Sequence, residues 1–362
     1  MSDRPLPRDD LRALEGYHSP QVEVVVRLNT NESPFPPPEG FVERWTAALR
    51  ALPFHRYPDR AATELRVALG EFLGQPPARL FCANGSNEVL QTLLLTYGGP
   101  GRCAAMFEPT YALHEHISRI TGTGVVAGER GAAFAVDVAA ASDLIRRSRP
   151  SVVFVCSPNN PTGTVEPRPT VEALADIAAS HGALLVVDEA YGEFAPWSAI
   201  DLVDDDRPLA VVRTYSKVWS LAAVRLGYAV APRWVVEELD KVVLPYTLSA
   251  PTQLAGRIAL DFRPEMERRV ASLVEERGRL FSALAELAGV MAFPSGANFV
   301  LVRVRGDAHQ VWRRLLERGV LVRDFSRWPR VEGCLRVTVG TREENDTFLA
   351  AFREVLAEEE GR

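Results

Sequence analysis

The sequence predicts an α/β protein with a large domain built on a mainly parallel sheet between helices, followed by a smaller α+β domain. Three observations carry this. Short apolar runs of strand length alternate with helical patterns from residue 80 to residue 231. These runs are nearly continuous rather than alternating, as strands buried on both faces are. Polar and glycine-bearing turns gather just after the runs, at the carboxyl edge where open α/β sheets bind ligands.

In chain order, residues 1–30 are polar and proline-bearing and read as an N-terminal arm. Pro36-Pro37-Pro38 excludes helix and sheet interior there. Residues 42–52 read as a helix, and residues 31–50 as a segment joining the small domain. Residues 51–250 form the expected large domain. It begins with an amphipathic helix over 63–73, whose apolar side carries Leu65, Leu69 and Phe72. Strands are expected at 80–83, 103–107, 124–127, 151–156, 183–187, 209–214 and 226–231. Helices are expected at 89–96, after Tyr111, at 138–147 and at 171–180. Past Pro251 the texture changes. A long helical region at 252–288, broken near Arg263-Pro264, leads into strands at 300–304, 320–322 and 335–339. Helices at 309–318 and 342–358 complete the expected small domain, residues 251–362.

Composition excludes several classes. A net charge of −6 over 362 residues is no nucleic-acid footprint. No apolar run is long enough to cross a bilayer. The N-terminus lacks the apolar stretch of a signal peptide. The four cysteines, Cys82, Cys103, Cys156 and Cys334, form no Cys-x-x-Cys pair and read as reduced, buried thiols of a cytoplasmic protein. His114-Glu115-His116 has no second ligand cluster, so it reads as helix-surface histidines and no metal is expected.

The chemistry-bearing residues follow the strands. Lys217 stands at the mouth of the 209–214 strand, behind Ser216 and ahead of Arg225. Burial and a nearby cation both lower a lysine pKa, and a neutral amine is the nucleophile of Schiff-base chemistry; a surface lysine with a buried stem is the plainer alternative. Gly85-Ser86-Asn87 opens a helix directly after a strand, where free N–H groups suit an anion or simply form a capped turn. Asp188 ends the 183–187 strand and is either a helix cap or the partner of a cationic ring nitrogen. Tyr191 follows it closely enough to share its surroundings. Asn160 lies in a turn between two prolines, with an amide able to donate to a phenolate. Tyr111 is positioned to stack on a flat ring or to pack in the core. Arg323 and Arg336 lie in or beside short strands of the second domain, where a guanidinium fork suits phosphate or carboxylate.

The order and spacing of Asn84-Gly85-Ser86-Asn87, Tyr111, Asn159-Asn160-Pro161-Thr162-Gly163, Asp188-x-x-Tyr191, Ser216-Lys217 and Arg225 resemble the fold-type-I pyridoxal-phosphate (PLP) aminotransferases. Leu28-Asn29-Thr30-Asn31-Glu32, Arg56-Tyr57-Pro58, Pro294-Ser295-Gly296-Ala297-Asn298 and Gly333-Cys334-Leu335-Arg336 look like their histidinol-phosphate branch. The resemblance implies PLP on Lys217, which would move the substrate proton, and Asp188 on the pyridine nitrogen. It implies Asn160 and Tyr191 on the 3′-oxygen, Tyr111 on the ring face, and Ser86, Asn87, Ser216 and Arg225 around the phosphate. Tyr57 would reach the cofactor phosphate of a neighbouring subunit, making a homodimer. Arg323, Arg336, Tyr17 and Asn31 would bind the substrates, histidinol phosphate and glutamate or 2-oxoglutarate. An aromatic amino acid aminotransferase and a threonine-phosphate decarboxylase share the fold and are the alternatives. Trp219 and Ala223 stand where the family commonly has phenylalanine and glycine, which would alter packing behind the phosphate.

Overall fold

The computed structural model describes residues 4–12, 14, 16 and 22–360. Tyr17 lies outside the described residues. The first strand, β1 (Val26–Leu28), is followed by α1 (Phe41–Arg50) and α2 (Thr63–Leu73). The main sheet is made of β2 (Leu80–Ala83), β3 (Cys103–Glu108), β4 (Gly124–Glu129), β5 (Val152–Cys156), β6 (Leu184–Asp188), β7 (Leu209–Thr214) and β8 (Gly227–Val230). These seven strands lie in the order β2-β8-β7-β6-β5-β3-β4. β8 runs antiparallel to both of its neighbours; every other pairing is parallel. Two reversals around β8 return β2 to the common direction, so β2, β3, β5, β6 and β7 all end at one edge.

The continuous apolar runs have a physical cause. Every residue of β5, β6 and β7 is buried. Alternate side chains of one strand go to opposite faces. Phe154, Val186 and Val212 pack on one face with α3 (Ser86–Tyr97), α4 (Ala112–Ile120) and α7 (Arg233–Val242). Val153, Val155, Leu185 and Val187 pack on the other with α2, α5 (Val138–Ser148) and α6 (Arg168–Ser180). Each fully buried Val, Leu or Phe is worth about 1.5–3 kcal/mol. A strand with no solvent face therefore carries no alternation for the sequence to display.

Beyond the main sheet, α8 (Ala250–Leu260) packs against α1 and α2. A break separates it from α9 (Arg263–Ala285), where Pro264 sits in the first turn, the position a proline tolerates. Then come β9 (Val290–Ala292), β10 (Phe299–Val304), α10 (Ala308–Glu317), β11 (Val320–Asp324), β12 (Cys334–Thr338) and α11 (Arg342–Glu360). The second sheet has five strands in the order β1-β11-β12-β10-β9. Its edge strand β1 belongs to the stretch expected to be an arm: Val26 and Leu28 are buried, and β1 runs parallel to β11 with Val26 opposite Val320. Three residues are too short a stretch for period two to be legible, and the pairing partner lies nearly three hundred positions away. The helix α7 and the strand β9 were likewise not expected.

Candidate active site

At the common carboxyl edge, the strand exits wall a cavity of about 440 Å³. β2 delivers Gly85, Ser86 and Asn87 at the start of α3; β3 delivers Tyr111 just ahead of α4. β5 delivers Asn160, β6 ends in Asp188 and leads to Tyr191, and β7 leads to Ser216 and Lys217. All of these line the cavity except Gly85, together with Arg225, Asn31, Glu32 and, from β12 of the second sheet, Arg336.

Lys217 is the candidate nucleophile of this cavity. Its Nζ donates to the Thr30 carbonyl at 2.8 Å. Burial first, then the guanidinium of Arg336, lower its pKa from 10.5 to about 7; Arg225 adds to this and Glu32 opposes it. The expectation of a neutral amine therefore has a structural basis.

Asp188 is 1 % exposed. Its Oδ1 accepts from the Ala190 N–H at 3.0 Å, and its Oδ2 lies 2.9 Å from Nε2 of His114. His114 was expected on a helix surface; it is fully buried, stacked on Phe154 with ring centres 4.7 Å apart. It belongs to the site as the holder of Asp188. Its position on the helix that follows Tyr111 was the available signal, but a helix periodicity does not say what the inward face meets. His116 is half-buried, and no cluster able to hold a metal occurs among the described residues.

At the other end of the cavity, Arg225 has left-handed backbone (φ 57°) and its Nη1 donates to Ser216 Oγ at 3.2 Å. It forms no ion pair among the described residues. No side chain caps the start of α3. Gly85 (φ +80°) is required here: a Cβ would stand 2.5 Å from Arg225 Nη2. Gly227 is equally close, since a Cβ there would meet the Ser86 nitrogen at 2.3 Å. A guanidinium, a hydroxyl and uncapped N–H groups drawn together suit a phosphate dianion, the nearby Glu88 carboxylate being engaged by the Asn84 N–H and amide. With an amine of lowered pKa and a buried carboxylate at the other end, the residues fit PLP.

Arg336 is buried among Phe299 and Phe325, and its Nη1 donates to Asn160 Oδ1 at 2.5 Å. Because guanidinium only donates, this bond turns the Asn160 Nδ2 away from Arg336. Tyr111 donates to Asn87 Oδ1 at 3.2 Å. Tyr191 is buried, and burial raises its pKa to about 12. Asn31, which lines the cavity, is 1 % exposed and donates from Nδ2 to Tyr191 Oη at 2.9 Å.

Two expected residues do not wall the cavity. Arg323 stands opposite Arg336 across the β11–β12 pair and is half-buried beside it. Tyr57 is 80 % exposed, stacked on Tyr246 at 4.5 Å beside a separate concavity. Trp219 is absorbed by the core, stacked on Tyr215 and edge-on to Phe72, while Ala223 lines the cavity.

A sheet ending in a lysine, a buried aspartate and an anion cradle defines a PLP enzyme of the aminotransferase fold. The family model "Aminotransferase class I and II" matches residues 23–352. A histidinol-phosphate aminotransferase of Streptomyces avermitilis is 47% identical over 99% of this chain and 98% of its own. One of Frankia casuarinae is 44% identical over 96% and 90%. Among solved structures, the histidinol-phosphate aminotransferase of Sinorhizobium meliloti in complex with pyridoxal-5′-phosphate superposes with a TM-score of 0.85 at 25% identity, covering 93% of this chain and 92% of that one. The chain belongs to the class I and II aminotransferases and, within them, to the histidinol-phosphate aminotransferases.

Proposed function

We propose that this chain transfers the amino group of L-histidinol phosphate to 2-oxoglutarate, giving imidazole-acetol phosphate and L-glutamate, in histidine biosynthesis. The observation that carries it is one cavity holding a lysine of lowered pKa, a buried carboxylate and a substrate-side arginine. PLP, when bound, supplies an electron-withdrawing ring that takes up the electron pair left as the substrate Cα–H bond breaks. The rest is done by the chain. Arg225, Ser216 and the N–H groups at Ser86 and Asn87 hold the phosphate. Tyr111 covers the ring, and Asp188, held by His114, keeps the ring nitrogen protonated. Asn160 and Tyr191 donate to the ring oxygen. Lys217 would anchor the cofactor and, as the amine of lowered pKa, would carry the proton that leaves the substrate Cα.

Arg336, with Arg323 beside it, takes the anionic end of the substrate. Histidinol phosphate brings a phosphate there and glutamate a carboxylate, so one guanidinium pair serves both half-reactions in turn. The exposure of Tyr57 supports a homodimer, in which it would reach the cofactor phosphate of a second protomer. Phe54 and Leu244, 72 % and 73 % exposed, are the apolar surface such a contact would cover. We assign the large unit to residues 51–250 and the small one to 251–362, with 31–50 joining the latter. A cytoplasmic location fits four unpaired cysteines, and no helix among the described residues is long and apolar enough to cross a membrane.

The test is a spectral titration of the holoenzyme. Histidinol phosphate should convert the bound cofactor to its amine form at far lower concentration than phenylalanine. Faster conversion by phenylalanine would make the chain an aromatic aminotransferase, and carbon dioxide release from threonine phosphate would make it a decarboxylase.

A further inference from the structure

Tyr191 can serve the ring oxygen only if its single proton points at the cofactor, and the side chains behind it decide where that proton goes. The Asn31 backbone N–H donates to Thr338 Oγ1 at 3.0 Å. Thr338 Oγ1 donates its own proton to Asn31 Oδ1, also at 3.0 Å. That leaves Asn31 Nδ2 as the atom facing Tyr191 Oη, 2.9 Å away. Turning the amide over would place two donors on the threonine oxygen and strand its proton. As arranged, the Asn31 N–H, Oδ1 and Nδ2 and the Thr338 hydroxyl each have a partner.

We propose that Thr338, acting through Asn31, is a positioning residue that fixes the direction of the Tyr191 hydroxyl proton, aiming it at the cofactor's ring oxygen. The proposal rests on the assignment of Tyr191 to that oxygen. Because Nδ2 already donates to Tyr191 Oη, the phenol proton has nowhere to go on that side. Burial keeps the phenol protonated at neutral pH, with a pKa of about 12. All three groups are buried, with Thr338 3 % exposed. The left-handed backbone of Asn31 (φ 55°), a conformation asparagine tolerates, brings its amide and its N–H to the same threonine hydroxyl. The Asn31 carbonyl is held by Asn298 Nδ2 at 3.1 Å. Thr338 follows Arg336 by two positions on β12, on the same strand face. One face of one small-domain strand thus orients both donors, Asn160 through Arg336 and Tyr191 through Thr338 and Asn31.

A donor on the ring oxygen stabilises its negative charge and makes the lysine-bound cofactor less basic. The readout is the pH midpoint of the colour change of the resting holoenzyme, followed without substrate. Thr338→Val removes the proton that orients Asn31 at nearly constant volume; the midpoint should rise by about one pH unit, the size of one hydrogen bond to a charged group. Thr338→Ser should restore the wild-type midpoint. Asn31→Gly keeps the left-handed backbone and the N–H but deletes the amide, and should raise the midpoint similarly if Thr338→Val does not fold. Tyr191→Phe should raise it too, with no further rise on adding Thr338→Val. An unmoved midpoint in Thr338→Val and Asn31→Gly, beside a moved one in Tyr191→Phe, overturns the proposal alone. An unmoved midpoint in Tyr191→Phe overturns the assignment of Tyr191 along with it.

Discussion

Replacing Lys217 by methionine isolates the free-energy cost of holding an ammonium in this cavity. In the folded apoprotein the Lys217 pKa is about 7 against an ordinary 10.5. At about 1.4 kcal/mol per pH decade, the charged lysine destabilises the fold by roughly 4–5 kcal/mol below pH 7. The sign follows from proton uptake. Between pH 7 and pH 10.5 the unfolded chain binds the proton and the folded chain does not, so stability rises with pH there. The cost is therefore full below pH 7, roughly 2 kcal/mol at pH 9, and gone above pH 10.5. Methionine has similar length and no charge. Denaturant unfolding of the two apoproteins at pH 6 and pH 9 measures the difference. Methionine should be the more stable at pH 6, and its advantage should shrink by roughly 3 kcal/mol at pH 9. An advantage of equal size at both pH values would refute the lowered pKa and with it the neutral amine.

The other expectations concern the groups around that amine. Gly85→Ala strains a positive φ and pushes a methyl group against Arg225 Nη2, so PLP affinity should fall at least tenfold by equilibrium dialysis, with the apoprotein still folded. Arg336→Lys keeps the charge but loses the fork and the bond to Asn160, so KM should rise for histidinol phosphate and for glutamate together; a rise for only one would separate the two half-reactions. His114→Phe leaves Asp188 Oδ2 unpartnered in a buried site, so kcat should drop by an order of magnitude or more while PLP stays bound. Sedimentation of the holoprotein should give twice the chain mass of 39.9 kDa, and a monomer would remove the role assigned to Tyr57.

The alternation of buried strands with helices, the carboxyl edge as the place for chemistry, and the spacing from Asp188 to Lys217 to Arg225 were readable in the chain. They depend on local patterns: apolar runs, turn residues and a motif order that a linear string preserves. The depression of the Lys217 pKa was legible in direction, because a lysine leaving a buried strand meets low dielectric whatever the fold. Three matters were decided only in three dimensions. His114 faces Asp188 because α4, packed on β3 and β4, carries it against Phe154 of β5 and the end of β6, and helical spacing names an inward face without naming its partner. Val26–Leu28 becomes a strand only because β11 offers it an edge, a pairing between segments almost three hundred residues apart. Asn31 meets Tyr191 and Thr338 because the two sheets close on one cavity, each hydrogen bond spanning a sequence separation on which composition and periodicity are silent. Local propensity writes the elements into the chain; the closing of both sheets on one cavity selects which of their polar ends touch.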